Sequence, residues 1–118
     1  MFKGNNMNEE IILKSEDGVG IITLNRPDRL NALTYNIVKK MNDFLDKCES
    51  DDDIKCVIIE GAGEKAFIAG ADIKLMQSFD KNQARDFGEL GQNLTLEIEN
   101  SPKPVLAAVN GFALGGGC

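Results

Sequence analysis

The chain has 118 residues, 42% hydrophobic and 27% charged, the make-up of one globular domain able to bury a core. A formal charge of -6 and a pI near 4.6 exclude a basic surface for nucleic acid or an anionic membrane, whose phosphates call for clustered Lys and Arg. With no His, neither a Ser-His-Asp nor a Cys-His nucleophile can be assembled and imidazole metal ligation is excluded, so acid–base chemistry falls to carboxylates.

The three cysteines, Cys48, Cys56 and Cys118, have no C-x-x-C spacing, which suggests neither a disulfide framework nor a zinc site. A reducing, cytoplasmic setting is the expectation. No apolar run approaches the roughly twenty residues of a membrane span. Met1 to Met7 lacks the Arg and Ser content of a transit peptide, and Met7 is an alternative start. Residues 1–10 are expected to form a leader without order, and the folded part is expected over residues 11–118.

Glu10 to Lys14 and Val19 to Leu24 are β-branched runs separated by Ser15-Glu16-Asp17-Gly18, and Asp-Gly between such runs signals a hairpin. Pro27 ends the second run, because it has no N–H to donate and drives Arg26 into extended geometry. Thr34 is the candidate N-cap of a helix reaching about Glu49, with Ile37, Val38, Met41, Phe44, Leu45 and Cys48 along one stripe. That stripe reads as core. Ser50 to Asp53 stops the helix, and Ile54 to Glu60 reads as a buried strand parallel to the second, joined through a right-handed crossover.

Two motif readings fail on their own terms. The acidic triplet Asp51-Asp52-Asp53 lacks the glycine and distal Glu of a calcium loop. Gly61-Ala62-Gly63-Glu64-Lys65-Ala66 matches G-x-G-x-x-A after a strand, but Phe67-Ile68-Ala69-Gly70 follows with no helical period, where a dinucleotide site needs a helix. A second long helix is expected from Asp80 to Asn100, with Ala84, Phe87, Leu90, Leu94 and Ile98 at three- and four-residue steps, ended by Ser101-Pro102-Lys103-Pro104. The alternation of strands and helices predicts an α/β fold.

Pro104 to Val109 is uncharged and predicts a strand covered on both faces; Asn110-Gly111 breaks it, and Gly115-Gly116-Gly117 follows. Glycine lets backbone N–H groups approach a ligand, so this stretch reads as a donor site for a polarised oxygen, with a flexible glycine-rich tail as the alternative.

Three stretches carry a resemblance: Asn25-Arg26-Pro27 with Asn31-Ala32-Leu33; Ala66 to Ile73; and Ala108 to Cys118. In order and spacing they resemble the signature stretches of the enoyl-CoA hydratase/crotonase family, nearest its short-chain crotonase members, the 3-hydroxybutyryl-CoA dehydratases. The match runs from about Ile11 through nearly the whole chain. It implies the amino-terminal part of a crotonase-like spiral of repeated ββα units, and a lyase that reversibly removes water from a short-chain 3-hydroxyacyl-CoA in fatty-acid or butanoate metabolism. By motif position the backbone N–H groups of Ala71 and Gly116 correspond to the family's oxyanion hole. Arg29, Leu30, Ala69, Gly70, Ala71, Asp72, Ile73, Lys74 and Gly116 correspond to its contacts with the acyl-CoA, Arg29 and Lys74 being the phosphate partners unless they are plain surface charges. Phe67, Ile68, Leu75 and Met76 either line part of the acyl pocket or serve the ordinary core.

The resemblance further implies no metal and no cofactor beyond the coenzyme A carried by the substrate, and a homo-oligomer, trimer or hexamer, at full length. In the family a catalytic Glu directly follows Gly-Gly-Gly-Cys and a second lies further on. On the resemblance the chain is therefore an enzyme's amino-terminal part, inactive alone, and Glu60, Glu64, Glu89, Glu97 and Glu99 do not replace the pair. An isomerase or hydrolase using the same hole, or a non-catalytic acyl-CoA-binding module, are the alternatives.

Overall fold

A computed structural model describes residues 9–118. Most of the leader expected over residues 1–10, and the alternative start at Met7, lie outside the described residues.

The first two strands, β1 (Ile11–Glu16) and β2 (Val19–Leu24), pair antiparallel from Ile11 opposite Leu24 to Glu16 opposite Val19. Asp17 and Gly18 make the turn with φ of 50° and 83°, the left-handed pair that a two-residue hairpin demands. Alternation along both strands sends Ile11, Leu13, Ile22 and Leu24 into the core.

Helix α1 (Tyr35–Ser50) begins where Thr34 Oγ1 accepts the Ile37 N–H at 3.2 Å. Its stripe is buried as the spacing predicts, through Ile37, Val38, Met41, Leu45 and Cys48, with Phe44 half-buried beside them. At the far end Lys103 Nζ donates to the carbonyls of Cys48 (2.6 Å) and Asp51 (2.7 Å), placing a cation on the negative end of the helix dipole.

Strand β3 (Cys56–Gly61) runs parallel to β2, as the crossover requires. It starts two residues later than the apolar run suggests. Asp51 holds the preceding turn, its side chain accepting from the Asp53 N–H and its carbonyl from the Ile54 N–H, while the Ile54 side chain still reaches the core.

Next come β4 (Ala66–Ile68), buried throughout, the single-turn helix α2 (Ile73–Met76) and the long helix α3 (Lys81–Glu99). Asp80 and Gln83 form a capping box at the start of α3. The stripe predicted on α3 is only partly covered: Leu94 is buried, Phe87, Leu90 and Ile98 are half-buried against the core, and Ala84 in the first turn stands in solvent.

Strand β5 (Val105–Ala108) joins β3 in parallel, giving a four-stranded mixed sheet in the order β1-β2-β3-β5, while β6 (Phe112–Ala113) pairs with β4 in a second, two-stranded sheet. The cover that the uncharged composition of β5 calls for is not found among the described residues. Val105 is half-buried, but Leu106, Ala107 and Ala108 are exposed at the sheet edge. Uncharged composition marks a strand fit for burial, and among the described residues too little packs on 106–108 to bury it. No helix among the described residues is long and apolar enough to cross a membrane.

Candidate functional site

Three loops converge beside β4, and the first is built on a buried asparagine. After the 3-10 turn Pro27–Arg29, Leu30 and Asn31 take φ of 54° and 56°. Asn31, fully buried, accepts the Arg26 N–H at 2.9 Å and donates through Nδ2 to the carbonyls of Ala62 and Ala66, each at 3.0 Å. All of its buried polar capacity is engaged across two loops. Gly61 makes room, since a Cβ there would stand 2.7 Å from Asn31 Nδ2 and collide with the Phe67 carbonyl oxygen.

The second loop, residues 69–72, is laced to the first by backbone. Ala69 N–H donates to Leu30 O (3.1 Å), Leu33 N–H to Gly70 O (2.7 Å) and Asp72 N–H to Leu33 O (2.8 Å). Leu33 and Ala71 thus form an isolated parallel bridge. In such a bridge the residues flanking Ala71 supply the partners, so the N–H of Ala71 itself faces away from Leu33. The side chain of Asp72 caps α2 by accepting the Leu75 N–H at 3.1 Å. That hydrogen bond, together with the Arg26 guanidinium at 3.1 Å, holds the Asp72 carboxyl below its usual range.

The third loop closes on the other two. Phe112 N–H donates to Lys65 O and Leu114 N–H to Ile68 O, both at 3.1 Å, and a 3-10 turn then covers Gly115–Gly117. Gly70 (φ 104°) and Gly115 (φ 50°) lie face to face, close enough that a Cβ on Gly70 would be 3.2 Å from the Leu114 carbonyl oxygen and 3.9 Å from Gly115 Cα. The φ of 104° and the tight approach call for glycine at position 70, while the φ of 50° favours it at 115. A Cβ on Gly116 would lie 3.2 Å from Leu33 Cδ1, so Leu33 is both the bridge partner of Ala71 and the neighbour of Gly116.

Ala71 and Gly116 each directly follow one of those two facing glycines. Among the described residues neither N–H donates to any group, whereas the N–H groups of Asp72, Gly117 and Cys118 are all satisfied. Ala71 is half-buried and Gly116 exposed. Unpaired backbone N–H groups of this kind are the donors that oxygen atoms carrying negative charge accept from.

The other residues that the resemblance picks out lie on the first and second loops and on α2. Ala69 and Gly70 lie in the laced loop; Ile73 (70% exposed) and Lys74 project from α2; Arg29 and Leu30 are exposed on the first loop. Asp72 is committed internally to α2 and Arg26. An apolar cavity of about 250 Å³, lined in part by Leu33, Phe67, Ile68, Leu94, Ile98 and Val105, reaches Gly116 to Cys118. Phe67 and Ile68 therefore belong both to the core and to this cavity, while Leu75 and Met76 lie outside its lining. A second cleft of about 300 Å³ runs between Pro27, Leu30 and Asn31 on one side and Ala62, Glu64 and Lys65 on the other.

Of the glutamates, Glu60 accepts the Thr23 hydroxyl at 3.0 Å within the sheet. Glu97 faces α1, where Asp46, Glu49 and Glu97 bring carboxylate oxygens within 4.8 Å of one another. Burial first, then Asp46, push the Glu97 carboxyl up to about 7. In the sequence Arg26, Asn31 and Leu33 stand out only as members of a motif; the further signal for Asn31 is its position just after a proline-led turn, where Asn tolerates positive φ.

The sequence profile of the family described as enoyl-CoA hydratase/isomerase matches residues 14–118. A short-chain-enoyl-CoA hydratase of Clostridium acetobutylicum is 47% identical over 108 residues, 92% of this chain and 41% of that protein. A crotonyl-CoA hydratase of Syntrophomonas wolfei is 46% identical over 110 residues, 93% of this chain and 42% of that one. The crystal structure of an enoyl-CoA hydratase from Bacillus anthracis superposes with a TM-score of 0.87 at 34% identity, covering 92% of this chain and 43% of the other. The chain thus spans about two fifths of the length of these relatives.

Proposed function

The chain belongs to the enoyl-CoA hydratase/isomerase family, and from that premise we propose that the N–H groups of Ala71 and Gly116 form the oxyanion hole of a short-chain enoyl-CoA hydratase. The reading takes crotonyl-CoA and 3-hydroxybutyryl-CoA as the substrate pair, in fatty-acid or butanoate metabolism. The observation that carries it is the pair of unsatisfied N–H groups on adjoining loops, each following a glycine that permits the close approach.

The chemistry follows from charge. Adding water to an α,β-unsaturated thioester, or removing it from the 3-hydroxy compound, moves electron density onto the thioester oxygen in an enolate-like transition state. Fixed N–H donors stabilise that oxygen without reorganising, and each such donor is typically worth about 3 to 4 kcal/mol. Two supply much of what is needed, so the reading requires neither a metal nor an organic cofactor. The exposed Arg29 and Lys74 serve the coenzyme A phosphates, and exposed Leu30 and Ile73 its apolar parts.

Proton transfer at the two carbons requires carboxylates placed over the acyl group. Asp72 is unsuited, because Arg26 and the Leu75 N–H hold it ionised as a structural anion. The reading assigns acid–base work to the two glutamates that the family carries after its Gly-Gly-Gly-Cys stretch, and takes the working enzyme as a cytoplasmic trimer or hexamer.

The test is the loss of enoyl absorbance when crotonyl-CoA is added to the full-length protein and to the 118-residue chain. The full-length protein should turn over, with a chelator leaving the rate unchanged, and the 118-residue chain should not. Full activity in the 118-residue chain would refute the assignment of the acid–base groups, and chelator-sensitive turnover would refute a metal-free oxyanion mechanism.

A further inference from the structure

Arg26 is half-buried, and each of the three nitrogens of its guanidinium has a partner. Nη1 donates to the Ala32 carbonyl at 2.8 Å, Nη2 to Asp72 Oδ2 at 3.1 Å, and Nε lies 2.8 Å from Glu10 Oε2. Its own N–H is held by buried Asn31. Ala32 immediately precedes Leu33 and Asp72 immediately follows Ala71, so one planar fork spans both sides of the Leu33–Ala71 bridge. Among the described residues two backbone bonds otherwise hold that bridge, from Leu33 N–H to Gly70 O and from Asp72 N–H to Leu33 O, with Ala69 N–H to Leu30 O beside them.

The direction in which Ala71 N–H points is set by the peptide plane between Gly70 and Ala71. The next residue, Asp72, is fixed at four points: its N–H donates to Leu33 O, its carbonyl accepts the Met76 N–H, Oδ1 accepts the Leu75 N–H and Oδ2 accepts from Arg26. Release of the last point leaves the side chain held by the α2 cap alone, so its second oxygen and the loop behind it are free to turn about that bond and the backbone bonds. Oxyanion donors act through placement, and a shift of about 1 Å in such a group can cost roughly a hundredfold in rate.

We propose that Arg26, acting through Asp72 and the Ala32 carbonyl, is a positioning residue that holds the Ala71 N–H on the thioester oxygen. It touches no substrate. The proposal rests on the oxyanion-hole reading of Ala71 and Gly116, and it gives a specific function to the arginine of the Asn25-Arg26-Pro27 stretch. Lysine retains the charge but loses the fork, since one ammonium does not reproduce three separate N–H directions. Asn at position 72 keeps the size and the cap acceptor while removing the charge that pairs with Arg26.

The experiment compares full-length wild type, Arg26→Lys and Asp72→Asn. Turnover of crotonyl-CoA is measured with KM and kcat separated, and the infrared carbonyl band of bound butyryl-CoA, carrying 13C at the thioester carbon, reports polarisation of the oxygen. Thermal unfolding identifies variants that fold as the wild type does. The wild type should shift the band to lower frequency. In both variants the band should move back toward its free value and kcat should fall by about tenfold to a hundredfold, with KM changed less than about threefold. A wild-type shift that survives intact in folded variants, or a raised KM at unchanged kcat, overturns the positioning role alone. Absence of any shift in the wild type removes the oxyanion-hole reading itself, and the proposal with it. Should Arg26→Lys fail to fold, Asp72→Asn alone decides, because its cap acceptor remains.

Discussion

Alanine substituted in turn for Gly115, Gly116 and Gly117 should separate three demands made by one run of glycines. At Gly115 the demand is conformational: φ is 50°, and a Cβ in left-handed geometry costs about 1 to 2 kcal/mol. At Gly117 it is steric. A Cβ there would collide with the Ile68 carbonyl oxygen and lie 2.9 Å from its carbon, in the backbone of fully buried β4. That backbone cannot turn aside as a side chain can, so the cost should reach about 3 kcal/mol or more. At Gly116 the only close neighbour is Leu33 Cδ1 at 3.2 Å, the free end of a side chain, and the residue is exposed. Alanine there should cost under about 1 kcal/mol, whereas valine crowds the face on which the N–H must meet an oxygen and should lower turnover by about a hundredfold or more. Denaturant unfolding followed by circular dichroism gives the three stabilities, and enoyl hydration by full-length variants gives the rates. The reasoning is refuted if Gly116→Ala is as destabilising as Gly117→Ala, or if a stably folded Gly116→Val hydrates crotonyl-CoA at the wild-type rate.

Two further expectations follow from groups away from the glycines. The Glu97 carboxyl is raised from its ordinary 4.5 to about 7 by burial and by Asp46, so its protonated form favours the fold. That contribution is complete below about pH 4.5 and is lost as pH rises to about 7; Glu97→Gln should flatten the fall in denaturant midpoint across this window, and an unchanged slope would count against it. Asn31→Ala strips buried partners from the Arg26 N–H and the Ala62 and Ala66 carbonyls, and should cost about 3 kcal/mol or more in unfolding free energy. A loss under about 1 kcal/mol would mean that the two loops are held together by other contacts.

The parts of the fold legible in the sequence are those where a side-chain period or a turn residue carries the signal. Asp17-Gly18 specified the hairpin, and Thr34 with the stripe from Ile37 to Cys48 specified α1 almost to the residue. Strands β4 and β6 had no such signal: three and two residues are too short for alternation to register, and their pairing brings together segments far apart in the chain. The α3 stripe is covered over less of its length than its spacing suggests, and β5 is bare beyond Val105, because pattern and composition report fitness for burial and not the presence of a neighbour. The proposed acyl-CoA site was legible only through the resemblance. Its candidate donors are backbone groups of Ala71 and Gly116, which no side-chain pattern advertises, and the residues that fix them, Arg26, Asn31 and Leu33, act through contacts with segments 30 to 50 positions away or through the backbone.

The oxyanion-hole reading itself is tested most directly by the amide resonances of Ala71 and Gly116 in isotopically labelled full-length protein titrated with butyryl-CoA. Both amide protons should move downfield together and saturate with the same affinity, as donors taking up one oxygen must, while the already bonded amides of Asp72 and Gly117 move less. Saturable butyryl-CoA binding that leaves the Ala71 and Gly116 amides unmoved would contradict the account.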